Sequence, residues 1–572
     1  MKVKQNVPQI KSNYTKELLK FRGVENVDNF LNPNESDLES PFLLQNIKKG
    51  VEVIRKFYKK GAKIGTIVDC DMDGMTSASI LYLYMKELDP SVTIKYYLHD
   101  GKEHGFSDVC AQMEEENYDY LLIADAATND SEYIRNFECP VIIIDHHELE
   151  DNNGLAQNLI LINNQTSPEY KNKQLSGAGL AYQFCRALDE EFGVNYADNY
   201  VDLAAMGCIG DMMSALEIEN QFLWRKGLTS IKNSFLRAII DKQSFSMKGE
   251  VTPMTVAFYI VPLVNAMIRV GTKDEKERMF LAFLNGDELI PSGKRGAKGT
   301  LDTRANESAR ECTNARARQN KLLDQITDSL EIKIHKYDLL ENKILFIRLD
   351  DDDEFPATLN GLCAMKLSAK YRKPTIIARL NPEGYDRGSL RGVNGSELLS
   401  FKDYLESTGL FEYTVGHANA GGISILNSNL KELHTRANEE LAAYDFGENF
   451  YEVDFTRRAA EEDIKDIIYD IGLYHEIYGQ RNPEPLIYVT DININKKDIK
   501  IIGKNLDVLK FEKNGIEYIK FFAKDLIKKL DEYNGELKIE VIGKMGVNEF
   551  MGNCTPQITI EEIEFKDGAL AF

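Results

Sequence analysis

At 572 residues the chain is long enough for about three to five folded units, and its hydrophobic (43%) and charged (28%) fractions are those of a globular protein with several cores. The formal charge of −22 discourages a nucleic-acid reading without forbidding one, since what matters is where the cations sit. Residues 1–21 lack a secretory apolar stretch, and the most apolar region, 254–264, is half a membrane span containing Pro262. The eight cysteines form no CxxC pair, so the expectation is a reduced, cytoplasmic protein without a membrane segment, a disulfide framework or a cysteine zinc site.

From about residue 60, short β-branched apolar runs alternate with longer amphipathic ones. The runs at 64–68, 121–123, 141–144 and 159–162, with helical stretches such as 76–86 and 179–191, predict a parallel sheet covered by helices on both faces. Residues 215–290 read mostly as helices, and 291–299 as an exposed Gly/Pro/basic loop. Asp302 or Thr303 then stands in N-cap position for a helix to about Ile332, on the order of 40 Å long, bridging to a second α/β block. That block runs through 344–349 and 375–380, a Gly-rich segment at 415–423 and a helix at 429–444. Short spaced strands after about 450 (486–489, 499–502, 537–541, 557–563) predict a small antiparallel barrel. The acidic run 350–354 reads as an exposed loop.

Chemistry concentrates where the predicted strands end. The first ends in VDCDMDGMTS, placing Asp69, Asp71 and Asp73 within five residues; such carboxylates repel one another unless cations intervene. A bare DxDxDG is also compatible with a solvated acidic or calcium-type loop, but the Glu and flanking helix of an EF-hand are missing. The second strand ends in Asp125, the third in Asp145, His146 and His147, and Asp211 lies in the apolar stretch DLAAMGCIGDMM, where an unpaired carboxylate is costly. Four separate segments ending in hard ligands, with no thiolate, suit Mn2+ or Mg2+. This many carboxylates supports two ions about 3.5–4 Å apart, the arrangement for in-line displacement at phosphorus. Two-metal phosphoester hydrolysis is the chemistry these residues imply.

DxDxDGxTS at 69–77, Asp125, the DHH triplet at 145–147 and Asp211 resemble the four motifs of the DHH phosphoesterase superfamily. VGHANAGG at 415–422 resembles its associated C-terminal (DHHA1) motif, and GSLRG at 388–392 the accompanying arginine segment. VNAMIRVG at 264–271, IYGQRNPEP at 477–485 and VNEFMGNCTPQITIEEIE at 547–564 are similar to segments of RecJ-type single-strand-specific exonucleases. The resemblance covers about residues 50–565, in the family's order. It implies an α/β architecture with an N-terminal segment (1–50), a parallel-sheet DHH catalytic domain (51–290), a basic loop and connecting helix (291–332), a DHHA1 substrate-binding domain (333–450) and a C-terminal OB-like β-barrel (451–572). Ala126, Val415 and Ile477–Tyr478 replace usual family residues; none is a ligand, and they point to a divergent, viral type of member.

Carried over, the resemblance implies metal ligands among Asp69, Asp71 and Asp73, two direct and one behind them, with Asp125 bridging the ions and His146 and Asp211 completing the set. His147 would face the scissile phosphate, with Asp145 orienting a histidine. Asn265, Arg269, Arg391, His417 and Asn419 would contact substrate, with Gly416, Gly421 and Gly422 admitting a phosphate close to the backbone. Between Pro291 and Lys321, eight cations (Lys294, Arg295, Lys298, Arg304, Arg310, Arg316, Arg318, Lys321) face three acids, a local +5 that fits a strand-tracking surface, with Arg316 and Arg318 at its centre. The implied activity is 5′→3′ hydrolysis of single-stranded DNA to 5′-mononucleotides in recombination or repair, with single-stranded-DNA-binding protein and a helicase as partners. The alternatives are a nanoRNase or cyclic-dinucleotide phosphodiesterase of the same superfamily, or a non-catalytic replication scaffold.

Overall fold

The computed structural model describes residues 2–99, 104–150, 154–296, 299–350, 353, 355–447, 450–533, 535–550 and 552–566. They form two compact units, each assembled from separate stretches of the chain. One comprises Leu19–Arg318 and Tyr474–Glu484. The other comprises the N-terminal residues to Leu18, Gln319–Leu473 and the chain from Pro485 onward. The division falls inside a 33-residue helix, Arg304–Lys336, which Thr303 caps by accepting the Asn306 N–H at 3.2 Å.

The first unit is built on a five-stranded, all-parallel sheet. Its strands are β1 (Lys63–Val68), β2 (Thr93–Leu98), β3 (Tyr120–Ala124), β4 (Val141–Asp145) and β5 (Leu159–Asn163), in the spatial order β2-β1-β3-β4-β5. Alternation along the strands feeds two cores. Val68, Leu122, Ile142 and Ile144 face one, while Ile67, Leu121, Ile123, Val141 and Ile143 face the other. Ile142, Ile143 and Ile144 are fully buried, and truncating any of them to Ala costs about 2–5 kcal/mol. Helices α1 (Met72–Leu88), α2 (Gly177–Phe192) and α3 (Val201–Gly210) pack together over the first core. Strand β2 carries no continuous apolar run: it is an edge strand, TIKYYL, half-exposed along most of its length.

A helical run from Pro253 through α4 (Val261–Val270), with a π-helical stretch at Val256–Ile260, has the length and apolar composition of a membrane span, and half of it is buried in this unit. It is longer than the 254–264 region singled out by composition. The segment after Pro291 is the turn of a hairpin, Leu289–Pro291 with Leu301–Thr303, in which Ser292 Oγ (2.7 Å) and Gly293 N (3.0 Å) donate to Glu307; Ala297 and Lys298 lie outside the described residues.

The second unit holds two sheets. In one, Leu345–Leu349 and Thr375–Leu380 pair parallel, and Tyr385–Arg391, Ala420–Leu426 and Phe411–His417 extend the sheet antiparallel. The Gly-rich segment is thus part of a strand hairpin. In the other, a seven-stranded sheet between Phe455 and Lys566, five strands flank the long hairpin Glu536–Phe550 and Asn553–Lys566. This terminal sheet is mixed where an antiparallel one was expected, because Phe455–Arg458 pairs parallel with Leu486–Asn495, and Ile516–Lys520 with Asn553–Lys566. Asp350 and Asp353 clasp Lys333, so this part of the acidic loop is ion-paired; Asp351, Asp352 and Glu354 lie outside the described residues.

The N-terminal segment divides at Leu18. Lys2–Gln5 pairs parallel with Phe450–Val453. The buried Arg457 guanidinium donates to the Ile10 carbonyl at 2.7 Å and pairs with Asp463 at 2.9 Å. These contacts tie the first residues to the chain's last third. The eight cysteines form no disulfide.

Candidate active site

The strand order progresses in opposite directions on either side of β1, so the carboxyl ends of β1 and β3 flank a topological switch point, where open parallel sheets leave a crevice. Asp69 directly follows β1 and Asp125 directly follows β3. Asp145 ends β4, with His146 and His147 next, and Asp211 caps the carboxyl end of α3. Asp71 is the N-cap of α1, accepting the Gly74 N–H at 2.9 Å, and Asp73 lies in that helix's first turn. Sheet topology therefore converges the carboxylates and imidazoles of the four segments at 69–73, 125, 145–147 and 211.

The donors form three overlapping sets, each with ligand atoms within 4.8 Å of one another: Asp69, Asp71 and Asp125; Asp73, His146 and Asp211; and Asp125, Asp145, His146 and His147. Asp125 and His146 each belong to two sets, and His146 Nε2 lies 3.2 Å from Asp125 Oδ1 and 3.3 Å from Asp211 Oδ2. Each of the three aspartates of the first motif belongs to one of these sets. Asp73 is the most engaged by protein: Ser176 Oγ (2.7 Å) and Ala178 N (3.0 Å) donate to Oδ1, and Gly177 N (2.7 Å) to Oδ2. These donors are the first turn of α2, whose dipole favours a carboxylate there. Gly177 is required at this point, since a Cβ would lie 2.4 Å from that of Asp125. Asp125 itself is in the left-handed region (φ 61°), which Asp tolerates better than most residues.

Burial and mutual repulsion set the charges. Desolvation first, then Asp69 and Asp73, push the Asp71 carboxyl up to about 6. Desolvation with Asp73 and Asp71 pushes Asp211 up to about 8, and Asp125 rises well above the carboxylate range for the same reasons. Asp145 goes the other way. Burial opposes its ionisation, but hydrogen bonds from His147 Nδ1 (2.7 Å) and Thr128 Oγ1 (2.6 Å) and the nearby imidazoles hold it well below the ordinary range. The same contact raises His147 to about 9, and burial lowers His146. One histidine thus stays cationic at neutral pH while its neighbour keeps a free lone pair.

Two residues beyond the motifs join the site. His104 Nδ1 lies 2.7 Å from Asp69 Oδ2, and the fully buried His99 places Nε2 3.7 Å from Asp69 Oδ1 while its Nδ1 meets Asp108. His99 is the residue immediately after β2, the neighbour of β1; position after a parallel strand was the available signal, and the half-exposed β2 pattern hid it. Asp69 Oδ1, Asp125 Oδ1 and His99 Nε2 are buried with no hydrogen-bond partner among the described residues, a costly state that a cation relieves. Cys70, between two of the ligands, has its thiol pushed up to about 12 by burial, so the donor set is oxygen and imidazole. That set fits a hard divalent ion.

The DHH family, N-terminal domain, matches residues 63–208, and the RecJ OB domain matches residues 461–562. A putative SPbeta prophage-derived single-strand DNA-specific exonuclease, YorK, of Bacillus subtilis (strain 168) is 36% identical over 557 residues, covering 96% of this chain and 95% of that protein. The chain belongs to the RecJ family of DHH proteins. RecJ of Bacillus subtilis (strain 168) is 24% identical, over 95% of this chain and 67% of that protein. The crystal structure of RecJ in complex with Mn2+ from Thermus thermophilus shares the fold, with a TM-score of 0.72 at 19% identity over 99% of this chain and 80% of that one.

The other residues nominated from RecJ motifs lie apart from the metal cluster in kind. In α4, Asn265 Oδ1 is buried without a partner among the described residues, and Arg269 is half-buried one turn on. Arg316 is half-buried with no ion pair among the described residues. Arg318 instead donates to both oxygens of Glu275 (2.9 and 2.8 Å), and Arg304 and Arg310 pair with Glu288 and Glu307, so the basic stretch is partly neutralised internally.

In the second unit, Arg391 lies against the start of helix Asn360–Tyr371, near Gly361, and has no carboxylate partner among the described residues; His417 is exposed. Asn419 is already satisfied: Oδ1 accepts Phe401 N at 3.2 Å and Nδ2 donates to Leu399 O at 3.0 Å. Gly416 (φ 110°) and Gly421 serve strand packing, since a Cβ on Gly421 would sit 2.0 Å from the Val415 carbonyl. At Gly421 that space is filled by backbone.

Proposed function

We propose that this chain is a divalent-metal-dependent exonuclease that hydrolyses single-stranded DNA from the 5′ end to 5′-mononucleotides, acting in recombination or repair in the cytoplasm of a cell or of a phage-infected host. The carrying observation is the overlap of three carboxylate–imidazole sets on Asp125 and His146 at the sheet's switch point. Asp69, Asp71 and Asp125 would hold one cation and Asp73, His146 and Asp211 a second, with Asp125 shared; Mn2+ is the preferred ion and Mg2+ the alternative. When bound, the ions supply Lewis-acid polarisation at phosphorus and a water acidic enough to attack at neutral pH.

The chain's own groups do the rest. The α2 N-terminus anchors Asp73, so one wall of the site is fixed to a helix. Asp145 locks the His147 ring through Nδ1, leaving a half-exposed side chain whose Nε2–H can donate to charge developing on the phosphoryl oxygens. His146 stays neutral because it is buried, as a ligand must. The names of the relatives support single-stranded DNA as substrate, and the family resemblance supports the 5′→3′ polarity and a single-stranded-DNA-binding protein and helicase as partners.

The test is product analysis on a single-stranded oligonucleotide after metal removal by a chelator. 5′-Mononucleotides should appear only after Mn2+ or Mg2+ is restored. Equal hydrolysis in the presence of the chelator would refute the proposal.

A further inference from the structure

The segment Tyr474–Glu484 belongs to the same compact unit as the metal cluster, although it lies more than 260 residues beyond Asp211 in the chain. Its contacts centre on the turn that carries Asp211 out of α3. There the helix stops: Asp211 N donates to Gly207 O, Met212 adopts a left-handed conformation (φ 55°), and Met213 N donates to Cys208 O at 3.0 Å. Such a turn persists only when its surroundings over-determine it.

The surroundings do so at Ala215, four residues after Asp211. Its N–H donates to the Gln480 carbonyl at 2.8 Å, and its carbonyl accepts from Gln221 Nε2 at 2.6 Å. The same Gln221 nitrogen donates to the Ile477 carbonyl at 2.9 Å, so one buried amide staples the turn to the segment. The segment is itself rigid. Gly479 and Asn482 exchange backbone hydrogen bonds (3.0 and 3.2 Å) around Arg481 at φ 62°, and the fully buried Asn482 donates to Ile477 O at 3.0 Å. Arg22 NH1 secures the far end, donating to Asn482 Oδ1 (2.6 Å) and Pro483 O (2.7 Å). A Cβ on Gly479 would come within 3.2 Å of the Ala215 Cβ, so the two chains pack closely there.

We infer that Tyr474–Glu484 is a strap that positions Asp211, with Gln221 and Arg22 as its positioning residues. The inference rests on the reading of Asp211 as a metal ligand. It makes the catalytic unit discontinuous: a chain ending near residue 450 lacks part of the support of its own metal site.

The experiment measures Mn2+ binding to the full-length protein by electron paramagnetic resonance of the free ion, alongside thermal midpoints with and without Mn2+. The variants are Gln221→Ala, Arg22→Ala, Asp211→Asn and Gln221→Ala with Asp211→Asn. Loss of a supporting partner should weaken Mn2+ binding about tenfold in Gln221→Ala, with Arg22→Ala shifted in the same direction. The double variant should bind no more weakly than Asp211→Asn alone, within about twofold, because the strap acts through that carboxylate. A lowered midpoint with unchanged Mn2+ binding in Gln221→Ala, or multiplicative losses in the double variant, would overturn the inference. If Gln221→Ala fails to fold, wild-type Mn2+ binding in Arg22→Ala would overturn it. Wild-type binding in Asp211→Asn would instead bring down the ligand assignment, and the strap with it.

Discussion

His147 Nδ1 and Asp145 Oδ1 lie 2.7 Å apart, a contact that keeps His147 protonated while burial keeps its neighbour His146 neutral. His147 should act as a donor and His146 as a ligand, so their loss should differ in kind. His147→Ala should lower kcat by about 10²–10³, with no rescue by added Mn2+. His146→Ala should recover part of its activity as Mn2+ is raised. Wild-type activity should fall as pH rises past about 9, where His147 loses its proton. A Mn2+ titration that restores His147→Ala and leaves His146→Ala inactive would reverse the two roles.

Asp125→Asn removes the shared carboxylate while keeping its shape and its tolerance of the left-handed backbone. Cleavage should be abolished. The metal-free variant should also melt at a higher temperature than the metal-free wild type near neutral pH. Burial and then Asp73, Asp71 and Asp69 disfavour the ionised Asp125, so folding must protonate it, and Asn removes that cost. Calorimetry of both proteins in chelator checks this; a lower midpoint would mean that Asp125 is stabilising without metal.

Metal-free stability should decline as pH rises from about 4 to 8. The sign follows from the raised carboxyls: Asp71 (about 6) and Asp211 (about 8) keep their protons in the folded state after the unfolded chain, near 3.8, has released them. The folded state binds more protons over that window, so stability falls with pH. Mn2+ should therefore raise the melting temperature more at pH 8 than at pH 5.5, and Asp211→Asn should flatten the metal-free decline. A metal-free midpoint that climbs over this range in the wild type relative to Asp211→Asn would contradict the assignment.

Arg316 and Arg318 stand two residues apart on one helix, but only Arg318 is committed to an internal carboxylate, Glu275. If the basic stretch tracks a DNA backbone, Arg316→Ala should lower the logarithmic salt slope of single-strand binding by about 0.7, and Arg318→Ala should lower it by less. Binding measured at several salt concentrations decides it. Equal slopes for wild type and Arg316→Ala would place the strand elsewhere.

Much of the fold and most of the metal cluster can be read from sequence because both depend on local signals. Strands β1, β3, β4 and β5 are near-continuous β-branched or leucine runs, as buried parallel strands must be, and Asp69, Asp125 and Asp145 to His147 stand where β1, β3 and β4 end. Strand β2 escaped because an edge strand need not be apolar on both faces, and His99 and His104 were missed with it. Tertiary pairings leave no local trace. Arg318 with Glu275, Arg457 with Ile10 and Ala215 with Gln480 join residues 43, 447 and 265 positions apart, and they account for the neutralised cations, the divided N-terminus and the discontinuous catalytic unit.

The most direct test of the account compares the same single-stranded oligonucleotide labelled at its 5′ or its 3′ end, incubated with Mn2+ and either wild type or Asp125→Asn. Wild type should release the 5′ label at once as a mononucleotide while the 3′-labelled strand shortens progressively, and Asp125→Asn should do neither. Immediate release of the 3′ label, internal fragments, or cleavage by Asp125→Asn at the wild-type rate would contradict a 5′→3′ exonuclease built on the Asp125-centred metal cluster.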